Sequence, residues 1–150
     1  MIGAILTQRA ARHAFASLNH RDLEAFMSVI ADDVVFDFPG QTDLSGRHIG
    51  KAAVRSYFHA LFERFPQIRF TLRHVAVENI FAVTGTNTVL VEWDLDYTRR
   101  SGRQFHNSGV TAASARGARI VRITDYLFDW VTLAAANAIE EDGPAAGSGE

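Results

Sequence analysis

The stretch Ile120-Val121-Arg122-Ile123-Thr124-Asp125-Tyr126-Leu127-Phe128-Asp129-Trp130 is dense in β-branched and aromatic residues, yet it carries a carboxylate at its centre. Read as a strand over residues 120–127, its period of two sets Val121, Ile123, Asp125 and Leu127 on one face and Arg122, Thr124 and Tyr126 on the other. Asp125 then stands among three aliphatic side chains. A carboxylate in such company loses hydration, which raises its pKa unless a partner compensates, and a raised pKa suits proton transfer near neutrality. The other reading is an Asp at the end of a shorter strand, capping whatever follows.

Working back from this stretch, residues 68–78, 80–84, 87–99 and 104–114 also read as strands, joined by turns at Thr84-Gly85-Thr86, Arg100-Ser101-Gly102-Arg103 and Ala115-Arg116-Gly117-Ala118. Before Pro66 the periodicity is helical. Residues 6–18 and 23–30 form a helical hairpin broken at Asn19-His20-Arg21-Asp22, with Asp22 as a good N-cap. A third helix over 51–65 carries Tyr57, Phe58, Leu61, Phe62 and Phe65, either as a plain core face or as the wall of a pocket. Val34-Val35-Phe36-Asp37-Phe38 is a short strand stopped by Pro39-Gly40, and residues 41–50 read as loop. Helices first and a meander after predict an α+β domain with an antiparallel sheet over residues 1–141, followed by a small, polar, disordered tail at 142–150.

The strand over 87–97 has two unlike faces. Val89, Val91, Trp93, Leu95 and Tyr97 alternate with Leu90, Glu92, Asp94 and Asp96. Either the apolar side meets the core and the acids meet water, or both sides are covered. In the second case the apolar side packs on another subunit's sheet, while Glu92 and Asp94 look into a cavity where two carboxylates cannot both ionise freely.

Bulk properties exclude several classes. The 150 residues make one domain's worth of chain, and 47% hydrophobic with 21% charged residues is ordinary globular usage. A formal charge of −2 offers no basic stripe for nucleic acid. With no cysteine there is neither a disulfide framework nor a thiolate nucleophile. The N-terminal apolar run lacks a basic segment and stops at Thr7-Gln8-Arg9, so neither a secretory leader nor a membrane span is expected, and a cytoplasmic location is. No His pair has metal-ligand spacing on one element, so neither a metal nor a cofactor is expected.

The order Leu18-Asn19-His20-Arg21-Asp22-Leu23-Glu24, then Ala31-Asp32-Asp33-Val34-Val35-Phe36 with Pro39-Gly40, then Ser45-Gly46, resembles the nuclear-transport-factor-2-like superfamily. Within it, Thr124-Asp125-Tyr126-Leu127-Phe128-Asp129 is similar to the last-strand motif of the SnoaL-like polyketide cyclases and the limonene-epoxide-hydrolase group. The resemblance implies a cone: a curved antiparallel (mixed) sheet wrapped around three N-terminal helices, enclosing an apolar pocket, in homodimers that pair through the outer sheet face. It also implies that Glu92, Asp94 and Asp125 point inward and Trp93 toward the dimer.

Carried over by position, Asp94 and Asp125 match the two acids of the epoxide hydrolases, while Glu92, Asp37 and Val35 stand where their arginine, asparagine and tyrosine belong. The steroid isomerases' functional positions fall on Phe38, Ala14 and Val110, so their oxyanion hole is missing. A SnoaL-like cyclase asks least of this chain, a single Asp at the position of Asp125. The expectation is therefore cofactor-independent acid/base chemistry on a small apolar polyketide-, terpenoid- or steroid-like molecule, of cyclase, isomerase or hydrolase type. Asp125 is the main shuttle, Asp94 its coupled partner and Asp37 a group at the pocket mouth. Glu92, Val35, Phe58, Phe62 and His13 would contact substrate, His13 being otherwise a hydrogen-bonded boundary residue. The alternative is a non-catalytic ligand-binding or dimerisation module of the same fold.

Overall fold

The computed structural model describes residues 2–81 and 85–138. Its elements run α1 (Ile2–Asn19), α2 (Leu23–Ser28), β1 (Ile30–Phe38), β2 (Gly46–Ile49), α3 (Lys51–Arg64), β3 (Gln67–Val77), β4 (Thr86–Thr98), β5 (Gln104–Arg116), β6 (Arg119–Leu127) and α4 (Trp130–Asn137). The strands form one six-stranded sheet in the order β2-β1-β6-β5-β4-β3. All neighbours are antiparallel except β1 and β6, which run parallel. α1 packs on β3 and β4 at one end of the sheet, α3 on β1 and β2 at the other, and α2 touches both helices. The sheet thus wraps the helices, giving the α+β, mixed-sheet architecture expected from the sequence.

α1 turns Ala10, Ala11, Ala14, Phe15 and Leu18 inward, the i, i+3, i+4 stripe of an amphipathic helix. Its end is fixed by Asn19, whose side-chain amide donates to Phe70 O at 2.8 Å and accepts from Phe70 N at 2.7 Å, as an added rung on edge strand β3. Arg21, at φ 56°, then donates to Phe62 O, Phe65 O and Pro66 O, satisfying carbonyls left open at the end of α3. Asp22 caps α2 by accepting from Ala25 N at 2.9 Å.

The inner sheet face is apolar. On β4, Val89, Val91, Trp93 and Tyr97 are buried. The alternate residues point outward and pair with side chains on neighbouring strands: Glu92 with His74 at 2.7 Å, Asp94 with Arg73 at 2.5 Å and Asp96 with His106 at 2.8 Å. The one-sided arrangement therefore holds, and the inward placement of Glu92 and Asp94 is corrected: three acids in a row keep their hydration and their hydrogen-bond partners at lower cost outside than under the helices. Trp93 faces the core rather than a dimer partner. A homodimer through the outer sheet face would consequently meet on these polar pairs, not on the aliphatic side of β4.

Elsewhere the differences are local. Residues 41–50 include the edge strand β2, α2 stops at Ser28, and α4 follows directly from an Asp129 N-cap that accepts from Thr132 N at 2.9 Å. Ile80 and Phe81 lie in an exposed turn instead of a strand, and residues 82–84 of that expected strand, like the expected tail at 142–150, fall outside the described residues. No helix among the described residues is long and apolar enough to cross a membrane.

Candidate active site

The β5–β6 register determines what the cavity sees. Ala115 pairs with Ile120 but Ser114 with Arg122, so Val121 is an extra residue that shifts the strand's parity. Ile120 and Ile123 consequently both point inward, followed by Asp125 and Leu127, while Val121 leaves the face assigned to it. Asp125 keeps its aliphatic neighbours.

Between sheet and helices lies a cavity of about 90 Å³, room for several waters at roughly 10–15 Å³ each. Phe15, Phe26, Phe38, Phe58, Phe65, Phe70 and Trp93 dominate its wall. Against them stand a few polar groups: Tyr57, Tyr97, Thr111, Asn137 and Asp125; among the described residues Asp125 is the one carboxylate on the wall, and no Lys, Arg or His lines it. Burial pushes the Asp125 carboxyl up to about 6, and a hydrogen bond from Thr111 Oγ1 at 2.6 Å limits the rise. Thr111 Oγ1 accepts in turn from Trp93 Nε1 at 2.9 Å. Burial, and secondarily the charge of Asp125, raises the Tyr57 phenol well above its ordinary value, so it is a neutral donor at any working pH. Burial also lifts Tyr97 to about 12, and its hydroxyl is sealed without a well-formed hydrogen bond, although Asn107 is near enough to moderate the rise.

Of the other expected site residues, Phe58 lies on the cavity wall. Phe62 is buried one step away, beneath the Arg21 guanidinium at 4.7 Å from its ring centroid. His13 is exposed and donates from Nε2 to Ala25 O at 3.2 Å, so it is the boundary histidine and does not reach the pocket. Asp37 points out of the sheet, held below the usual carboxylate range first by its 2.6 Å hydrogen bond to Arg47 and also by Arg122 at 2.7 Å. Val35 shares that outer face, and Phe36 and Phe38 take the inner one. Asp37, Asp94, Glu92 and Val35 thus do not converge with Asp125. Tyr57 lies on the helix face read as core or pocket wall, and Trp93 turns inward as the one-sided reading of its strand has it; Thr111 was missed, and it stands two residues from Gly109, a spacing that puts both on one strand face.

A family model described as "SnoaL-like domain" matches residues 11–123. No curated protein matches the sequence. Among solved structures, Bal32a from a soil-derived mobile gene cassette superposes with a TM-score of 0.79 at 15% identity, covering 91% of this chain and 99% of that one. TerC, co-crystallized with polyporic acid, gives 0.74 at 21% identity over 87% and 97% of the two chains. An NTF2-like protein from Burkholderia pseudomallei gives 0.75 at 18% identity over 89% and 98%.

Proposed function

The chain belongs to the SnoaL-like domain family, with the NTF2-like fold, and from that premise we propose that it is a cofactor-independent enzyme acting on a small apolar carbonyl compound, with Asp125 as its proton shuttle. The observation that carries the proposal is one half-buried carboxylate, the only one on the cavity wall among the described residues, set against an otherwise largely apolar lining and raised to about 6 by desolvation. A group with that pKa is populated in both protonation states near neutrality, so it can take a proton and give it back.

Asp125 would remove a proton from the carbon next to a carbonyl, and the electron pair of that C–H bond would move onto the carbonyl oxygen. Tyr57, neutral and on the same wall, is the donor available to that oxygen. The enolate carbon then adds to a second carbonyl of the same molecule, closing the ring as that C=O π bond opens to an alkoxide that takes the proton back from Asp125; or the Asp125 carboxylic acid returns the proton at a different carbon. Epoxide opening by an acid-cation-acid set is not proposed, because Asp94 and Glu92 lie outside the sheet. The aromatic wall suits a planar, polyketide-like molecule, and TerC, of the same fold, was co-crystallized with polyporic acid.

The test is deuterium uptake from D₂O at the α-carbon of a panel of apolar aryl ketones and β-diketones, followed by NMR. The protein should catalyse uptake in at least one compound, and Asp125→Asn should slow it by about 10²-fold or more. Uptake unchanged by Asp125→Asn, or none across the panel, would overturn the proposal.

A further inference from the structure

The two oxygens of Asp125 have different surroundings. Oδ1 accepts from Thr111 at 2.6 Å, whereas Oδ2 makes no hydrogen bond with a described residue and is not sealed from the cavity that Asp125 lines. Behind Thr111 stands Trp93, whose indole N–H can only donate and does so to Thr111 Oγ1 at 2.9 Å. The chain from β4 through β5 to β6 therefore has one direction. Were Asp125 to carry its proton on Oδ1, the Thr111 hydroxyl would have to turn its own proton away. Trp93 already occupies another side of that oxygen, and no other acceptor for the hydroxyl stands among the described residues. A buried donor left without an acceptor is costly, so the reversal is disfavoured.

We propose that Thr111, oriented by Trp93, is a positioning residue that keeps Oδ1 of Asp125 a permanent acceptor, so that the proton exchanged with a bound molecule travels only through Oδ2. The inference rests on Asp125 being the cavity's proton shuttle and adds which atom does the work. It makes proton delivery one-sided: the bound molecule is protonated on the face it turns to Oδ2. The ionisable groups sharing the wall with Asp125 are Tyr57 from α3 and Tyr97 from β4, with Arg64 acting on Tyr57 from nearby; both phenols are held neutral, so neither titrates alongside the carboxyl.

The experiment is an NMR titration of the Asp125 carboxyl carbon in protein labelled with ¹³C-aspartate, the resonance being assigned by its loss in Asp125→Asn. It needs no substrate. Thr111→Val, close in shape but without the donor, should raise the proton affinity of Asp125 about tenfold, since it removes a hydrogen bond that favours the charged form. Thr111→Ser should stay within about twofold of the parent, and Trp93→Phe should move the affinity about threefold in the direction of Thr111→Val. A Thr111→Val curve that superposes on the parent, or a Thr111→Ser curve that follows Thr111→Val, would overturn the proposal. If Thr111→Val does not fold, an unmoved Trp93→Phe curve overturns it instead. Deuterium uptake reports separately: an ordered titration without Asp125-dependent uptake sinks the catalytic reading alone, and Asp125-dependent uptake with unmoved titrations sinks this one alone.

Discussion

Trp93 lays its indole over Gly109, so closely that a Cβ built on Gly109 would sit 2.8 Å from Cη2 and 2.3 Å from the backbone oxygen of Tyr126. Gly109 is paired directly with Trp93 across β4 and β5. The glycine serves here for space, on an inward position where any side chain would displace the ring that holds Thr111. Gly109→Ala should therefore cost about 1–3 kcal/mol of stability, as overpacking does. It should also shift the tryptophan fluorescence of the folded state. Denaturant unfolding followed by fluorescence measures both, and an unchanged midpoint and spectrum would show that the sheet can yield at this point.

The raised carboxyl of Asp125 has a consequence for stability, with a sign opposite to that of most acids. Its ordinary value is 3.8 and its folded value about 6. Between these values the folded state binds more protons than the unfolded chain, so stability from this group is fully present below about pH 4 and lost as pH rises through 6. The two-unit gap corresponds to at most about 3 kcal/mol. Asp37 and Asp43, both lowered by arginine hydrogen bonds, act in the opposite sense as pH falls, so the parent protein's profile alone mixes the two. Asp125→Asn isolates the effect. Urea unfolding should find it more stable than the parent at pH 8, by about 1–3 kcal/mol, with the gap closing at pH 4; a gap independent of pH would refute the raised value.

The outward acids should be separable from the chemistry. Asp94 is bound to Arg73 at 2.5 Å and Glu92 to His74 at 2.7 Å, both on the face away from the cavity. Asp94→Asn and Glu92→Gln should leave deuterium uptake within about twofold of the parent and cost no more than about 1 kcal/mol each, the usual worth of exposed pairs. Loss of uptake in Asp94→Asn would mean that the two carboxylates act together after all.

How much of this was legible in the sequence depended on whether a pattern was local. The alternation along β4 correctly separates Trp93 and Tyr97 from Glu92, Asp94 and Asp96, and the simple rule of apolar side in was the right one; likeness to the epoxide hydrolases pulled the acids the wrong way. Asp125 could be singled out because its neighbours on the same strand are aliphatic. Thr111 could not be, since its contact with Asp125 follows from a cross-strand register that a one-residue bulge at Val121 resets. A short edge strand such as β2, exposed and polar, has no apolar face to announce it. The start of α4, by contrast, was signalled by Asp129 three residues before Thr132 and was overlooked because the run from Tyr126 to Trp130 reads as strand.

Beside the cavity, the last turn of α4 is tied to α3 through Arg64. Arg64 donates to Asp43 at 2.8 Å and 2.5 Å and to Asn137 Oδ1 at 2.7 Å, tying the loop after β1 to the last turn of α4. Leu44 and Leu133, carried by the two tied segments, both line the cavity, as does Asn137 itself. Arg99 holds the same end of α4 by donating to Ala136 O at 3.2 Å and Ala138 O at 2.6 Å, and Asn107 holds its N-cap by donating to Asp129 O at 2.9 Å and accepting from Asp129 N at 3.2 Å. Arg64→Met keeps the buried stem of the side chain and removes the fork, so the core of α3 should survive with a loss of about 1 kcal/mol. The amides of α4 should then exchange hydrogen about tenfold faster while those of β4 and β5 do not change, because only the local opening of α4 becomes easier. Hydrogen exchange resolved by residue decides it. Faster exchange throughout the sheet would make Arg64 a general support of the fold, and unaltered exchange in α4 would leave the helix held by its apolar contacts and by Arg99 and Asn107.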